Sequence, residues 1–475
     1  MSKDFAGTGK TATIEMICLA MPKHTSVLVT SFAVSIVEEL KCRLEKTHCN
    51  VRTMNSLGLM AYRMGINKNP VLDNNKPYRL LRQLIAEEGL NIPKEDQPII
   101  LSMYRSAMIS GLVPSDFPNE GYTPDLPEIW QSFEVGADDT AIFAARLLLI
   151  RSIQEGLTGT ISFDDQIYLS VLFGGKFPRF ACVLVDEAQD LSILQHKMIE
   201  KCAVSRIMCF GDELQSIYFF RTRTSNSFRE LQKLRPAWQH KPLTMSFRCP
   251  KLIVERNAHH ALGFRAAPGN LQGSFRYYNE PWYLTHAPSI AVLCRNNAPL
   301  ISLAFKLLKN RIPVNFLGKD IGKSLIALFN KICPDKTTPV DQIAQLISDW
   351  ESKEKGLAAD DEAKKENIGD RAACLLTIID GECRSARDFL FKLESIFNSK
   401  GEITLSTIHR AKGLEWETVY HLDPWRLDPE RLFDRFDKGS LTEEQLSQEL
   451  NSKYVLETRT KNNLIEAPVN LFTFR

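Results

Sequence analysis

The feature that most constrains how this chain can fold is a glycine loop near its start. Residues 4–11 read DFAGTGKT and lead directly into the helical pattern of TATIEMICLAM. Gly7 and Gly9 let the backbone close round a phosphate chain with its amides aimed at the anion, and the helix that begins there adds its positive end. In such a loop Gly7, Thr8 and Gly9 form the cradle, Lys10 reaches the β- and γ-phosphates, and Thr11 holds Mg²⁺. The pattern's usual first glycine is Asp4 here. The competing explanation is a glycine-rich turn that happens to contain GKT.

A nucleotide site also needs a carboxylate for the metal, and one occurs in a suitable setting. The apolar, β-branched run CVLV (182–185) reads as a buried parallel strand and ends in Asp186-Glu187-Ala188-Gln189-Asp190. An acid at the carboxyl end of such a strand faces the crevice where open α/β sheets bind ligands. Asp186 is thus the candidate Mg²⁺ ligand and Glu187 the candidate general base for the attacking water. A second run, RIMCF (206–210), ends in Gly211-Asp212-Glu213-Leu214-Gln215-Ser216-Ile217-Tyr218. The two strand-then-acid units are expected to be neighbours in one sheet. Gln215 is placed to sense the γ-phosphate. The following Phe219-Phe220-Arg221 supplies either a stacking platform for unpaired bases or simply core aromatics.

Composition narrows the partner only indirectly. Lys and Arg number 59 against 57 Asp and Glu, a net charge of +2, so any phosphate-binding surface is a local groove and not a basic body. Eleven cysteines are dispersed without a C-x-x-C pair, which argues against a zinc site or a disulfide framework and suits a reducing compartment. No apolar run is long enough to span a membrane, and Lys10 and Glu15 interrupt the N-terminal apolar stretch, so a cytoplasmic location without a membrane partner is expected.

With these segments in place, the order of motifs resembles the UvrD/Rep-like superfamily 1 helicases. AGTGKT resembles motif I, TMNSLG (53–58) motif Ic, VDEAQD (185–190) motif II and GDELQSIYFFR (211–221) motif III. LTMSFR (243–248) resembles motif IV, LSTIHRAKGLEW (405–416) motif V and YVLETRTK (454–461) motif VI. The resemblance implies an α/β protein of two RecA-like P-loop domains with parallel sheets, plus helical insertions, with ATP and Mg²⁺ as cofactors. It implies that Phe247 stacks on adenine, that Arg248 and Arg459 touch the γ-phosphate, and that Glu415 binds the ribose. Lys10, Glu187, Gln215, Arg248 and Arg459 become the catalytic set. For nucleic acid it implies Thr53, Asn55 and Ser56 in the first domain, Tyr218 and Phe220 as stacking aromatics, and Thr407, His409 and Lys412 in the second.

The same resemblance divides the chain. Residues 1–60 and 165–245 correspond to domain 1A, 61–164 to a helical insertion 1B, 246–320 and 400–475 to domain 2A, and 321–399 to a reduced helical 2B. The charged run at 351–366 reads as a solvated helix face or linker. Three departures stand out. The segment before Asp4 is short for a central strand plus an adenine-recognising Gln. Phe32-Ala33-Val34 stands where motif Ia has polar groups. Motif VI reads LETRTK, with Arg459 kept. The expected function is an ATP-dependent helicase or translocase that moves on single-stranded DNA, 3′→5′, acts at ss/ds junctions and has room for a protein partner. The rivals are a translocase or remodeller that does not unwind, and a non-hydrolysing partner-binding subunit.

Overall fold

The computed structural model describes the chain except for residues 1, 32–33, 67–68, 94–95, 135–136, 218–226, 235–236, 285–288, 359–361, 381–382 and 475. It divides into two compact units: Met1–Phe5 with Gly9–Leu243, and Ala6–Thr8 with Thr244–Arg475.

In the first unit β1 (Ser2–Lys3) leads through the glycine loop to α1 (Lys10–Ala20), β2 (Val27–Ser31), α2 (Val34–Arg43), β3 (Asn50–Thr53) and α3 (Met54–Ile66). After β4 (Val71–Leu72) come four helices: α4 (Lys76–Glu87), α5 (Gln97–Ser110), α6 (Pro127–Phe133) and α7 (Asp139–Thr158). The chain returns through β5 (Thr160–Ile161), α8 (Asp165–Leu172), β6 (Phe180–Asp186), α9 (Ile193–Cys202) and β7 (Ala203–Gly211). The main sheet has the order β1-β7-β6-β2-β3, and its strands pair in parallel.

All five residues of β2 are buried, as a parallel strand covered on both faces requires. Side chains still alternate. Val27, Val29, Cys182 and Leu184 pack with Ile14 and Cys18 of α1 on one face. On the other, Leu28, Val183 and Val185 share one core with Leu81, Tyr104, Trp130 and Leu148 from the α4–α7 helices. The strand entering the glycine loop is expected to be central. Among the described residues it lies instead at the sheet edge, with Ser2 opposite Phe210 and Lys3 opposite Gly211. Central burial is carried by β2 and β6, so a short β1 opens no gap in the middle of the sheet.

One buried ion pair ties α4 to the start of α8. Lys76 Nζ donates to Asp165 Oδ2 at 2.8 Å and to the Ser152 carbonyl at 2.8 Å. The two charged side chains are 0% and 1% exposed. The Ser162 amide and hydroxyl also donate to the Asp165 oxygen, at 2.7 and 2.9 Å.

The second unit opens with a small parallel pair, β8 (Met245–Ser246) and β9 (Arg265–Ala266), and is built on a six-stranded parallel sheet made of β10 (Ser274–Tyr277), β11 (Ile290–Cys294), β12 (Val314–Phe316), β13 (Ile403–Thr407), β14 (Trp416–Leu422) and β15 (Thr460–Ala467). Its order is β10-β15-β14-β11-β13-β12. Helices Lys319–Ile332, Val340–Leu357, Glu362–Leu376 and Ala386–Asn398 occupy the region between β12 and β13. They join the sheet in one core, with Phe329 stacked on Phe389 at 4.1 Å. The charged run at 351–366 falls on two of these helices, on either side of residues 359–361.

Candidate nucleotide site

In the first unit, parallel strands bring their carboxyl ends into one row. The register aligns Asp186 of β6 with Ser31 of β2, and Ser31 with Thr53 of β3, while β7 ends beside β6 at Gly211. The glycine loop opens onto α1. Gly9 caps that helix in the left-handed region, at φ 82°, and no side chain caps it. The first-turn amides around Lys10 and Thr11 are therefore left to an anion, since Thr13 is the residue that bonds back to the Gly9 carbonyl. Thr11 is half-buried in that turn. Asp4 is buried, and its carboxylate accepts the Leu243 amide at 3.0 Å. That bond gives the non-glycine at the loop's first position a structural task.

Asp186 is 1% exposed. Burial, followed by the adjacent Glu187 charge, pushes its carboxyl up to about 7, and the positive charge of Lys10 opposes that rise. Asp4 adds further negative potential. A buried carboxylate short of positive charge, beside an uncapped helix start and a lysine, fits a divalent cation carried in with phosphate. Among the described residues no group of three His, Cys, Asp or Glu is placed to hold a metal ion alone. That suits Mg²⁺, which commonly takes one or two carboxylates together with phosphate oxygens and water.

Glu187 sits in the left-handed region at φ 54°, a strained backbone for a residue with a side chain. Its amide donates to Asp186 Oδ1 at 2.9 Å. This left-handed residue takes the chain off the end of β6 into the short helical turn Ala188–Asp190. A hydrogen-bonded path then runs from Glu187 into the next strand's loop. Gln189 Nε2 donates to Glu187 Oε2, and Gln189 Oε1 accepts the Asp212 amide at 3.1 Å. Asp212 Oδ2 in turn accepts Gln215 Nε2 at 2.7 Å. A Cβ on Gly211 would collide with Gln189 Oε1, so the glycine before Asp212 permits this approach. The sequence reading singled out Glu187 and Gln215 and missed the two links between them. Gln189 and Asp212 both stand within the quoted motifs, but nothing in one strand's sequence says which group of the next it will meet.

The other first-unit residues form local bonds. Thr53 Oγ1 accepts the Ser56 amide at 3.1 Å, and the Ser56 hydroxyl donates to the Thr53 carbonyl at 3.0 Å, so the pair caps α3. Asn55 Nδ2 donates to the Phe163 carbonyl at 3.0 Å. Phe163 itself is 54% exposed beside a groove also lined by Tyr78 and Arg105. Tyr218, Phe220 and the Phe32-Ala33 pair lie outside the described residues.

The second unit holds the remaining candidates. Gly7 is at φ 70°, and its carbonyl accepts the Phe247 amide at 2.9 Å; Thr8 is buried. The Ala6 amide donates to Tyr454 Oη at 3.0 Å. Phe247 is 68% exposed, an aromatic face open for stacking. Arg248 pairs with Glu415 at 3.3 Å, and Glu415 with Lys461 at 2.8 Å. Burial pushes the Glu415 carboxyl up, but the bond to Lys461 and the Arg248 charge hold it below the ordinary carboxylate range. Arg459 is 1% exposed and turned inward. Its donors go to the carbonyls of Val455 at 3.0 Å and Leu414 at 3.4 Å, and to the Thr458 hydroxyl at 3.2 Å. It therefore caps the C-terminal end of helix Glu443–Glu457. Thr407 ends β13 and is buried, whereas His409 and Lys412 are half-buried just beyond it.

A glycine loop opening a helix, a buried Asp186 followed by half-buried Glu187 at the end of a strand, and an all-parallel topology define a P-loop nucleotide-binding protein. Family comparison is specific beyond that. Residues 161–236 match the UvrD/REP helicase N-terminal domain, and 335–467 match the UvrD-like helicase C-terminal domain. These two matches support a UvrD/Rep-like superfamily 1 helicase. It is 25% identical over 330 residues to F-box DNA helicase protein 1 of Schizosaccharomyces pombe, covering 62% of this chain and 34% of that protein. YjcD of Bacillus subtilis, which bears an ATP-dependent DNA helicase name, is 35% identical over 78 residues, 16% of this chain and 10% of its own. The chain thus spans about a third of the fission-yeast relative's length. The crystal structure of arterivirus nonstructural protein 10 (helicase) aligns over 98% of this chain and 58% of its own, at 10% identity and a TM-score of 0.35, too distant to inform the fold. No described helix is long and apolar enough to cross a membrane.

Proposed function

We propose that this chain is an ATP-driven motor on single-stranded DNA that moves 3′→5′ and opens duplex at ss/ds junctions. The observation that carries the reading is the buried Asp186 with half-buried Glu187, linked through Gln189 and Asp212 to Gln215 and within the electrostatic reach of Lys10. Lys10 and the first-turn amides of α1 bind the β- and γ-phosphates. Thr11 and Asp186 hold Mg²⁺, which supplies charge neutralisation for phosphoryl transfer. Glu187, held by Gln189, takes the proton of the attacking water, and Gln215 registers the γ-phosphate. Phe247 stacks on the base. Arg248 and Arg459 supply guanidinium groups for the transition-state charge, Arg459 after leaving its backbone carbonyls. Glu415 exchanges its ion pairs for the ribose hydroxyls. Thr53, Asn55, Ser56, Thr407, His409 and Lys412 line the DNA track, with Tyr218 and Phe220 stacking on bases. In this reading residues 61–164 act as the 1B insertion and 321–399 as a compact 2B, with a protein partner as a further option for the latter.

The test pairs a single-strand-stimulated ATPase assay with a strand-displacement assay on a 3′-tailed duplex. Both activities are expected. Stimulated hydrolysis without displacement would favour a translocase or remodeller, a reading compatible with the compact 321–399 region. Absence of hydrolysis by the correctly folded chain would favour a non-hydrolysing partner-binding subunit.

A further inference from the structure

The turn that follows Glu187 is held from a second side, by residues that no step of the proposed reaction uses. Helix Ser227–Leu234 packs on that turn, Ala188–Asp190, and on α9. Its Phe228 and Leu231 are buried in the large core and anchor it there. Ser227, the first residue of the helix, is 3% exposed, and its hydroxyl donates to the Ala188 carbonyl at 2.5 Å. His196 of α9 is 1% exposed, and its Nε2 lies 2.8 Å from the same Ser227 oxygen. A carbonyl only accepts, so the one Ser227 proton is committed to Ala188, and His196 Nε2 has to donate. A buried chain of two hydrogen bonds thus runs from α9 through Ser227 to the residue next to Glu187.

We propose that Ser227 is a positioning residue for Glu187, with His196 aligning its hydroxyl. Glu187 holds a left-handed backbone at φ 54°. A residue with a side chain keeps such a conformation only where its surroundings over-determine it. Three bonds do so here. The Asp190 amide donates back to the Glu187 carbonyl at 3.1 Å, Gln189 holds the Glu187 carboxylate, and Ser227 holds the Ala188 carbonyl. Gln189 sets where the carboxylate points, whereas Ser227 ties the main chain beside it to a separate helix. A serine that caps a helix bonds to the amides of that helix. The Ser227 hydroxyl instead bonds to α9 and to the Glu187 turn.

The position in the chain gives this contact its leverage. Ser227 directly follows residues 218–226, the stretch with Tyr218 and Phe220 that the motor reading assigns to base stacking. A shift of the helix start is delivered to the Ala188 carbonyl through one hydrogen bond, and Ala188 is joined to Glu187 by one peptide bond. The Ser227 proton stays on its own oxygen throughout. The effect is on the aim of Glu187 at the attacking water, where a misplacement of about 1 Å costs up to about 10²-fold in rate.

The proposal rests on the hydrolytic role of Glu187, and its test compares the full chain with Ser227→Ala, Ser227→Thr, Glu187→Gln and the combination of the first and last. Ser227→Ala should lower single-strand-stimulated kcat about tenfold, with the KM for ATP and the melting temperature near the parent values. Ser227→Thr, which keeps the hydroxyl, should restore most of the rate. Because Ser227 acts through Glu187, the double variant should be no slower than Glu187→Gln alone. A parent-like kcat in Ser227→Ala, a loss expressed in KM instead of kcat, or further slowing in the double variant overturns the proposal. If Ser227→Ala does not fold, His196→Leu takes its place beside His196→Gln, which keeps an N–H donor, and equal rates in these two overturn it. Hydrogen exchange of the peptide spanning residues 187–190 needs no turnover. It should speed up in Ser227→Ala and return in Ser227→Thr. Unchanged exchange overturns the clamp, whereas a parent that binds ATP without hydrolysing it overturns the motor reading and leaves any exchange difference still visible.

Discussion

Two buried charge clusters in the first unit differ in one respect. At Lys76 and Asp165 a cation meets an anion in the interior, and the Ser162 and Ser152 groups complete the arrangement. At Asp186 the carboxylates of Glu187 and Asp4 outnumber the one lysine that opposes them, and burial raises the acid to about 7. The first cluster is balanced and holds two helices together. The second has a surplus of negative charge that a proton or an incoming metal ion relieves. Charge balance, more than burial, separates a strut from a binding site.

The comparison breaks most visibly if Glu187→Gln leaves turnover intact. A fall of roughly 10²- to 10⁴-fold in stimulated phosphate release is expected from loss of a general base, with the melting temperature little changed. Lys76→Met should do the reverse. It strands Asp165 in the interior and costs about 3–5 kcal/mol by urea unfolding, while turnover per folded molecule stays near the parent value. A smaller effect is expected for Gln189→Leu, which frees Glu187 from the path to Gln215. It should lower turnover about tenfold with nucleotide affinity retained in equilibrium binding. A parent-like rate would show that Glu187 needs no such support.

The balance also has a pH signature. Asp186 must lose its proton to hold Mg²⁺, and with a value near 7 its ionised fraction falls steeply between pH 8 and pH 6. The Mg²⁺ concentration for half-maximal nucleotide binding should rise about tenfold over that interval. Stability runs the opposite way. The folded-state value lies above the unfolded one, so ionised Asp186 costs stability. That cost is absent below the usual carboxylate range, grows toward pH 7 and is constant above it. Asp186→Asn should therefore raise stability at pH 8 by about 1–2 kcal/mol and much less at pH 4, measured by thermal melting. An unchanged or lower midpoint at pH 8 would mean that the surplus charge is already compensated.

Legibility in the sequence followed how local each feature is. The glycine loop and the strand-then-acid runs are contiguous, and their geometry follows from a few neighbouring dihedrals. The adjacency of β6 and β7 was readable because both end in the same kind of turn. The Lys76–Asp165 pair was not, because 89 positions separate its members and a lone lysine on a helix ordinarily points to solvent. The inward turn of Arg459 was hidden for a similar reason: its partners are backbone carbonyls, which every sequence has. The edge placement of β1 depends on which strand pairs with β7, a choice made by tertiary packing and not by the two residues themselves.

The shared core of sheet and helices in the first unit has an engineering consequence. Leu28, Val183 and Val185 share one cluster with Leu81, Tyr104 and Leu148, and the link runs through two intermediate helices: α7 packs on α8, α5 on α9, and α9 on β6 and β7. Excising residues 61–164 to make a minimal nucleotide-binding fragment would bare the outer faces of α8 and α9 and yield an aggregating product. Transplanting the helices alone would leave them equally uncovered. The unit is a single casting, and a push on α5 is passed through α9 to the strand that carries Asp186.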